Sequence, residues 1–130
     1  MTSAAAPTDP LEVAQSAVST WHRIDNALSP IIGHRGVAGL YKRSLSLTRG
    51  EHPALTRVFD EAIVPGDYST LQQALAQQSS SVAIAASSAL LTTFTDLLVK
   101  LIGLSLTQRL LRPLLDGPSS RGDAAQDTPL

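Results

Sequence analysis

The sequence predicts an all-α protein, a compact bundle of four or five helices with disordered termini. Three observations predict this class. Apolar residues recur at helical spacing along most of the chain, no run alternates apolar and polar residues as a strand does, and Pro or Gly stands where each apolar stripe stops. The length of 130 residues suits a single domain with its own core. We therefore expect helices packed on helices and no sheet.

Composition divides the chain into three parts. Residues 1–9 are mostly Ala, Thr, Ser and Pro and predict a flexible leader without the basic and apolar blocks of a signal peptide. Residues 116–130 are rich in Gly, Pro, Ser and Asp and predict a disordered tail. The helical bundle domain is expected over residues 10–115.

The first helix is predicted by the clearest stripe. Asp9 suits the N-cap and Pro10 the first helical position. Pro30 is expected to kink or end the helix near Ser29. Trp21 lies in the middle of the stripe, so we expect it to be buried. The residues of this face are Val13, Ala17, Trp21, Ile24, Leu28 and Ile31.

Two shorter helices are predicted next. The second is expected from Gly36 to Thr48, ended by Gly50, and the third begins at Pro53. The predicted inner face of the second helix is Val37, Leu40, Tyr41, Ser44 and Leu47 or Thr48. That of the third is Leu55, Val58, Phe59 and Ala62 or Ile63.

The rest of the body carries one long stripe that begins after Ser69, a predicted N-cap. A single helix over this stretch would be about 65 Å long, too long for a domain of this size. We expect a break at Ser79-Ser80-Ser81 or at Gly103, and an end at Pro113 and Gly117. The stripe comprises Leu71, Leu75, Gln78, Val82, Ala85, Ala89, Thr93, Leu97, Leu101, Leu104 and Leu111.

Residues 79–95 carry no charge, but Asp96 and Lys100 follow directly. A membrane span needs about 20 mostly apolar residues. We therefore expect a buried core helix here, a cytoplasmic protein and no membrane partner.

Basic residues concentrate between residues 22 and 57, although the net charge of the chain is −1. At 100° per residue, Arg35, Lys42 and Arg49 share one side of the second helix within about 40°, and Arg43 leans away. With His34, these three residues are the predicted site for an acidic protein partner. The alternative is the ordinary solvated face of a helix. The slightly negative net charge and the few aromatic residues predict no nucleic-acid partner.

The motif Gly33-His34-Arg35-Gly36 has two interpretations. Backbone N–H groups at a helix start favour an anion, whereas glycines also serve a tight connection between two helices.

No pattern in the chain predicts catalysis. Cys is absent, no Gly-x-Ser-x-Gly motif occurs, and the spacing of the three His residues does not suit a metal. We expect no enzyme activity, no cofactor and no metal. One alternative is histidine phosphotransfer by His22 or His34, although the Lys-Gly pattern that usually follows such a histidine is missing. Another is a small-ligand-binding helical domain.

Small residues cluster at positions 83–89. They predict either a homodimer interface through this Ala/Ser-rich helix or close helix packing inside the monomer.

Residues 28–44, and residues 90–98 with 101–103 and 106–111, resemble a group of small, uncharacterised helical proteins of proteobacteria. The resemblance implies a bacterial cytoplasmic helical protein and no particular site residues. Taken together, the sequence predicts a non-enzymatic, protein-binding regulatory module, with bacterial signal transduction as its setting.

Overall fold

The computed structural model describes residues 9–61 and 64–114, which form helices joined by turns and contain no strand. The predicted all-α bundle is confirmed. The predicted leader and tail, and the expectations for Ala62, Ile63 and Gly117, lie outside the described residues apart from Asp9. The helices are α1 (Pro10–Thr48), α2 (Ala54–Asp60), α3 (Ser69–Ala76), α4 (Ser80–Ile102) and α5 (residues 104–114).

Helix α1 folds back on itself at Gly33. This residue has φ 81° and ψ 159°, outside the helical region, and divides α1 into α1N (residues 10–32) and α1C (residues 34–48). The ring centroids of Trp21 and Tyr41 are 5.1 Å apart. In a straight helix these residues would be about 30 Å apart. The two segments therefore form a helical hairpin.

Helices α4 and α5 form a second hairpin of the same kind. Gly103 has φ 94° and ψ 156°, close to the values at Gly33. Thr95 and Val99 of α4 line one pocket with Thr107 and Leu111 of α5, so the chain turns back at Gly103. Positive φ with extended ψ is essentially restricted to glycine. We call Gly33 and Gly103 the glycine elbows.

Both elbows lie at the same end of the bundle, because α1N and α4 run in the same direction. Trp21 of α1N contacts Phe94 of α4, with ring centroids 4.9 Å apart. The groove between the two helices is lined by residues from 13 to 21 of α1N and from 84 to 91 of α4, so it extends toward the N-terminus of both. The Gly33 elbow lies about 18 Å beyond Trp21 along α1N, and the Gly103 elbow lies about 14 Å beyond Phe94 along α4. Both distances run in the same direction.

The core is centred on Trp21, which is 1% exposed, as predicted. Its ring lies 5.1 Å from Tyr41, 6.1 Å from Tyr68 and 4.9 Å from Phe94. These contacts join α1N to α1C, to the residue preceding α3, and to α4. A single side chain thus connects both hairpins.

The expectations for the first two helices need correction. The first helix does not end near Ser29 but continues through Pro30, and the chain turns at Gly33 because glycine supplies the positive φ. Ile31, predicted inside, is 46% exposed in the last turn before the elbow. In α1C, Thr48 and not Leu47 faces the core, and Leu45 is also buried. In α2, Leu55 and Val58 are buried as predicted.

The helix starts are partly as predicted. Asp9 caps α1, its Oδ1 accepting a hydrogen bond from the Leu11 N–H at 3.0 Å. Ser69 is the first residue of α3 and not its N-cap, which is Tyr68. Asp67 Oδ1 instead accepts hydrogen bonds from the Ser69 N–H at 3.0 Å and from the Ser69 hydroxyl at 2.7 Å. These bonds hold the pKa of Asp67 below its ordinary value.

Both predicted breaks of the long stripe are present, at Ser79 and at Gly103. The predicted inner face of α4 is wrong, however. Val82 and Leu101 are exposed, and so is Leu104 at the start of α5. The break before α4 lets this helix rotate about its axis relative to α3, so a stripe counted across it loses its phase. Pro113 lies inside α5, which continues to residue 114, so this proline does not end the helix as predicted. The buried face of α4 is Ala83, Ala86, Leu90, Phe94 and Leu98.

Candidate functional site

The solvent face of α1C carries the predicted partner-binding cations. Arg35, Lys42 and Arg49 follow one another at intervals of two turns, about 10.5 Å each. Arg35 and Lys42 are exposed, and the Arg49 side chain is 41% exposed. We call these three residues the basic ridge. The structure places them opposite Val37, Tyr41 and the other buried residues of α1C, as the predicted angles require.

On α1C itself, the neighbours of the ridge are small, basic or apolar. Gly39 and Ser46 are exposed between the ridge cations, and a Cβ added at Gly39 would meet nothing within 4 Å. Arg43 and Leu47 flank the ridge on one side, and Leu47 is 54% exposed. Residues 26–50 contain no Asp or Glu. The ridge is therefore a flat, positively charged strip with an apolar edge.

Helix α2 packs against one half of the ridge. The Lys42 Nζ atom lies 4.9 Å from the centre of the Phe59 ring, and the Arg49 guanidinium carbon lies 4.2 Å from it. Arg49 Nη1 is also 3.9 Å from Asp60 Oδ1. Cation–π contacts at exposed sites contribute about 0.5–1 kcal/mol, so they orient these two side chains without neutralising them. Arg35 forms no ion pair with the described residues.

His34, the fourth predicted site residue, lies at the Gly33 elbow and pairs with a buried carboxylate. Its Nδ1 is 3.1 Å from Asp25 Oδ1, with side-chain exposures of 64% for His34 and 7% for Asp25. The other carboxylate oxygen, Oδ2, faces the turn before α3, where a Cβ built on Gly66 would lie 3.6 Å from it. In the neutral tautomer with the proton on Nδ1, the Nδ1–H group donates a hydrogen bond to Asp25 Oδ1, and the imidazole presents an unprotonated Nε2 to solvent.

His22 has different surroundings. Its ring meets the Tyr68 ring edge to face, with centroids 5.2 Å apart, and its charge contributes to the lowered pKa of Asp67. Burial raises the pKa of Tyr68 and, more strongly, that of Tyr41. The Tyr41 hydroxyl oxygen has no hydrogen-bond partner among the described residues. His22 and His34 are therefore separate sites, and of the two, His34 alone lies within 4 Å of a carboxylate in the described part of the chain.

Part of the Ala/Ser-rich segment packs inside the monomer, as one of its two predicted roles requires. Ala83 and Ala86 are fully buried inside the monomer, whereas Ala85 and Ser88 are exposed. Ser87 and Ser88 line the groove of ≈ 350 Å³ between α1N and α4, together with Trp21 and Leu91. The groove lining is uncharged and includes four hydroxyl-bearing residues, which fits an uncharged ligand better than an ion.

Helix α4 is long and apolar enough to cross a membrane, with a mean hydropathy of 1.7, and 28% of its most apolar window is buried. The sequence predicts a buried core helix here, and α4 is buried along one face. A core helix of a water-soluble bundle has the same length and hydropathy, so this helix does not by itself indicate a span.

The described residues bring no three metal-ligating side chains together. The sequence missed the Asp25–His34 pair, because residues nine positions apart lie on opposite sides of a straight helix. Only the turn at Gly33 brings them together. Comparisons with protein-family models, with curated proteins and with solved structures yield no match for this chain.

Proposed function

We propose that the protein is a non-enzymatic, cytoplasmic binding module that docks an acidic protein segment on the basic ridge of α1C, in a regulatory role. The observation that carries this proposal is the charge segregation along one exposed helix face. Four Lys or Arg residues and no carboxylate lie between residues 34 and 50. Such a face attracts an acidic partner over long range and selects it by charge.

The contacts of the ridge also suit docking better than a purely solvated face. Phe59 orients Lys42 and Arg49, so less side-chain freedom is lost when they bind. Gly39 and Ser46 leave room for a partner's backbone to approach the helix. Leu47 offers an apolar contact beside the charges. An acidic amphipathic helix would place its carboxylates against the ridge cations and its apolar side chains against Leu47.

The test uses two synthetic helical peptides of Leu with Glu or Leu with Lys, titrated into the isotope-labelled protein by NMR. We expect the Glu peptide to shift the amide signals of α1C, more weakly as salt rises, and the Lys peptide to leave them unchanged. Replacing Arg35, Lys42 and Arg49 with Glu should abolish binding. The melting temperature should stay nearly the same, because exposed charges contribute little to stability.

A matched control changes the net charge by the same amount elsewhere. Arg23, Arg109 and Arg112 are exposed and lie on α1N and α5. Their replacement with Glu should leave peptide binding within about threefold, apart from the long-range effect of net charge. Equal losses in both triple variants would show that the ridge is only a solvated face.

A second candidate function, histidine phosphotransfer, is favoured by the Asp25–His34 pair. The Nε2 lone pair of His34 would attack the phosphorus of an aspartyl phosphate, forming the N–P bond as the P–O bond to the carboxylate breaks. Asp25 would stabilise the positive imidazole through Nδ1–H. Phosphoramidate, a small phosphate donor, should then give an acid-labile phosphate that His34→Ala abolishes and His22→Ala retains. Absence of label would leave the docking role as the proposal.

We also propose that the protein forms a homodimer through the exposed half of the Ala/Ser-rich segment. Sedimentation of the protein at rising concentration tests it directly. An Ala85→Glu variant, which changes an exposed position of α4, should reduce self-association if this face forms the dimer.

A further inference from the structure

The end of the bundle that carries both glycine elbows exposes apolar side chains. Ile31 precedes the Gly33 elbow, and Leu101 and Leu104 flank the Gly103 elbow; they are 46%, 59% and 58% exposed. Because α1N and α4 run in the same direction, these residues lie at one end of the molecule. We call this set the elbow tip. Exposed apolar residues that lie together on a protein surface mark candidate interaction sites.

Two cations flank the elbow tip. Arg35 lies two residues after Gly33 and Lys100 three residues before Gly103, and both are exposed. Residues 26–50 and 97–114, which include both elbows and both returning helices, contain no Asp or Glu at all. These two stretches hold most of the Lys and Arg of the chain. They are Arg35, Lys42, Arg43, Arg49, Lys100, Arg109 and Arg112.

The nearest carboxylates do not reverse this charge. Asp25 is buried and paired with His34. Asp67 lies near His22, about 16 Å before the Gly33 elbow along α1N. Asp96 is exposed on α4, about 10 Å before Gly103. The outermost surface of the tip is therefore apolar and cationic.

We propose that the elbow tip docks this protein on an anionic lipid surface, with Ile31, Leu101 and Leu104 inserted between headgroups and with Arg35 and Lys100 against lipid phosphates. An apolar protrusion flanked by Lys and Arg is the combination that binds at an anionic membrane interface. No spanning helix is needed. The proposal departs from the expectation of no membrane partner, which rested on the lack of a span. It also goes beyond the proposed docking of an acidic protein, which uses Arg35 together with Lys42 and Arg49 and does not require the apolar residues of the tip.

Vesicle cosedimentation tests the tip. The wild type should bind vesicles of equal parts phosphatidylcholine and phosphatidylglycerol, and it should dissociate from them as salt rises. Its affinity for vesicles of phosphatidylcholine alone should be lower by a factor of about ten or more. The variant Leu101→Ser with Leu104→Ser, and the variant Arg35→Gln with Lys100→Gln, should each weaken binding about tenfold or more. Both change exposed side chains, so far-UV circular dichroism should remain that of the wild type.

The matched control is Leu47→Ser with Val82→Ser. These residues are similarly exposed but lie near the end of α1C and the start of α4, at the opposite end of the bundle. The control should bind vesicles like the wild type. The Leu101/Leu104 variant should still bind the acidic Leu–Glu peptide, which separates this proposal from the proposed function.

Four results would overturn the proposal. The wild type could fail to bind anionic vesicles, or the control could lose as much binding as the tip variants. The Leu101/Leu104 variant could convert a dimer to a monomer in sedimentation, which would make a second copy the cover. Finally, vesicle-bound protein that resists extraction by high salt and alkaline carbonate would indicate a spanning helix instead of a docked tip.

Discussion

At the Gly33 elbow the chain places a buried carboxylate, a histidine and an arginine, whereas at the Gly103 elbow it places leucines and a threonine. The backbones are nevertheless alike. When the sequence around Gly33 is aligned with that around Gly103, most buried positions coincide and most exposed positions coincide, although Asp25 and Ser44 are buried where Thr95 and Leu114 are partly exposed. The buried pairs are Ile24 with Phe94, Leu28 with Leu98, Val37 with Thr107 and Tyr41 with Leu111. The exposed pairs include Ile31 with Leu101 and His34 with Leu104.

The difference between the elbows shows how little of the sequence the hairpin requires. A glycine able to adopt positive φ and a buried residue every third or fourth position on each side are common to both. The remaining aligned positions differ in polarity between the two hairpins. At the position of Asp25 the second hairpin has Thr95, whose hydroxyl donates to its own helix at Leu91 O, at 2.9 Å. Asp25 has no such local solution and uses His34.

Trp21→Ala should have the largest effect, because Trp21 contacts aromatic rings from both hairpins. Truncation of a large buried side chain costs about 3–5 kcal/mol. We expect a loss of this size in the free energy of unfolding, measured by denaturant melts. Leu47→Ala, an exposed change on α1C, should stay within about 0.5 kcal/mol. A loss under about 1 kcal/mol for Trp21→Ala would mean that the two hairpins do not depend on this contact.

The glycine elbows themselves should come next. Gly33→Ala and Gly103→Ala each force a residue with a Cβ into a glycine-only conformation and should cost about 1–3 kcal/mol. A Cβ would meet nothing within 4 Å at either site, so backbone strain is the only cause. Gly39→Ala is the control. It lies inside α1C with open space around it, and should stabilise by about 0.4–1 kcal/mol. Equal losses at both elbows would support their equivalence, and a gain at either would refute it.

The same comparison shows what the sequence could and could not predict. The breaks at Ser79 and Gly103 were predictable from single residues. The Ser79 hydroxyl caps α4 by accepting a hydrogen bond from the Val82 N–H, and Gly103 adopts a positive φ. The buried face of α4 was not, since its rotation relative to α3 depends on packing against α1N. The hairpin at Gly33 was hidden by Pro30, which is the stronger helix breaker in sequence but lies within the helix here. The ridge was predictable because it needs only one regular helix.

His34→Ala should separate the polar elbow from the apolar one. It removes the hydrogen-bond partner of the buried Asp25 carboxylate, and an unpaired buried polar group costs at least about 1 kcal/mol. Leu104→Ala changes the aligned exposed position at the other elbow and should cost less than about 0.5 kcal/mol. Chemical denaturation of both variants checks the difference. Equal effects would mean that the Asp25–His34 pair does not contribute to stability.

Tyr41 and Leu111 are aligned buried positions, and the hydroxyl of Tyr41 is the polar difference between them. Its oxygen has no hydrogen-bond partner among the described residues, and burial raises its pKa above the ordinary value of 10.0. Tyr41→Phe removes an unsatisfied group, so we expect the free energy of unfolding at neutral pH to rise by up to about 1 kcal/mol.

The pH dependence of stability gives the same prediction a second readout. Because folding raises the pKa of Tyr41, the stability linked to its neutral phenol is fully present below the unfolded-state pKa of about 10 and is lost as pH rises above it. Thermal melts of the wild type from neutral to alkaline pH should therefore fall above about pH 10. Tyr41→Phe should lose less stability than the wild type over this range. Tyr68→Phe should also lose less than the wild type, but by a smaller margin, because burial raises the pKa of Tyr68 less than that of Tyr41. A destabilised Tyr41→Phe at neutral pH would show instead that the hydroxyl is hydrogen-bonded in solution. The polar position in the first hairpin would then contribute to stability and would not simply be tolerated.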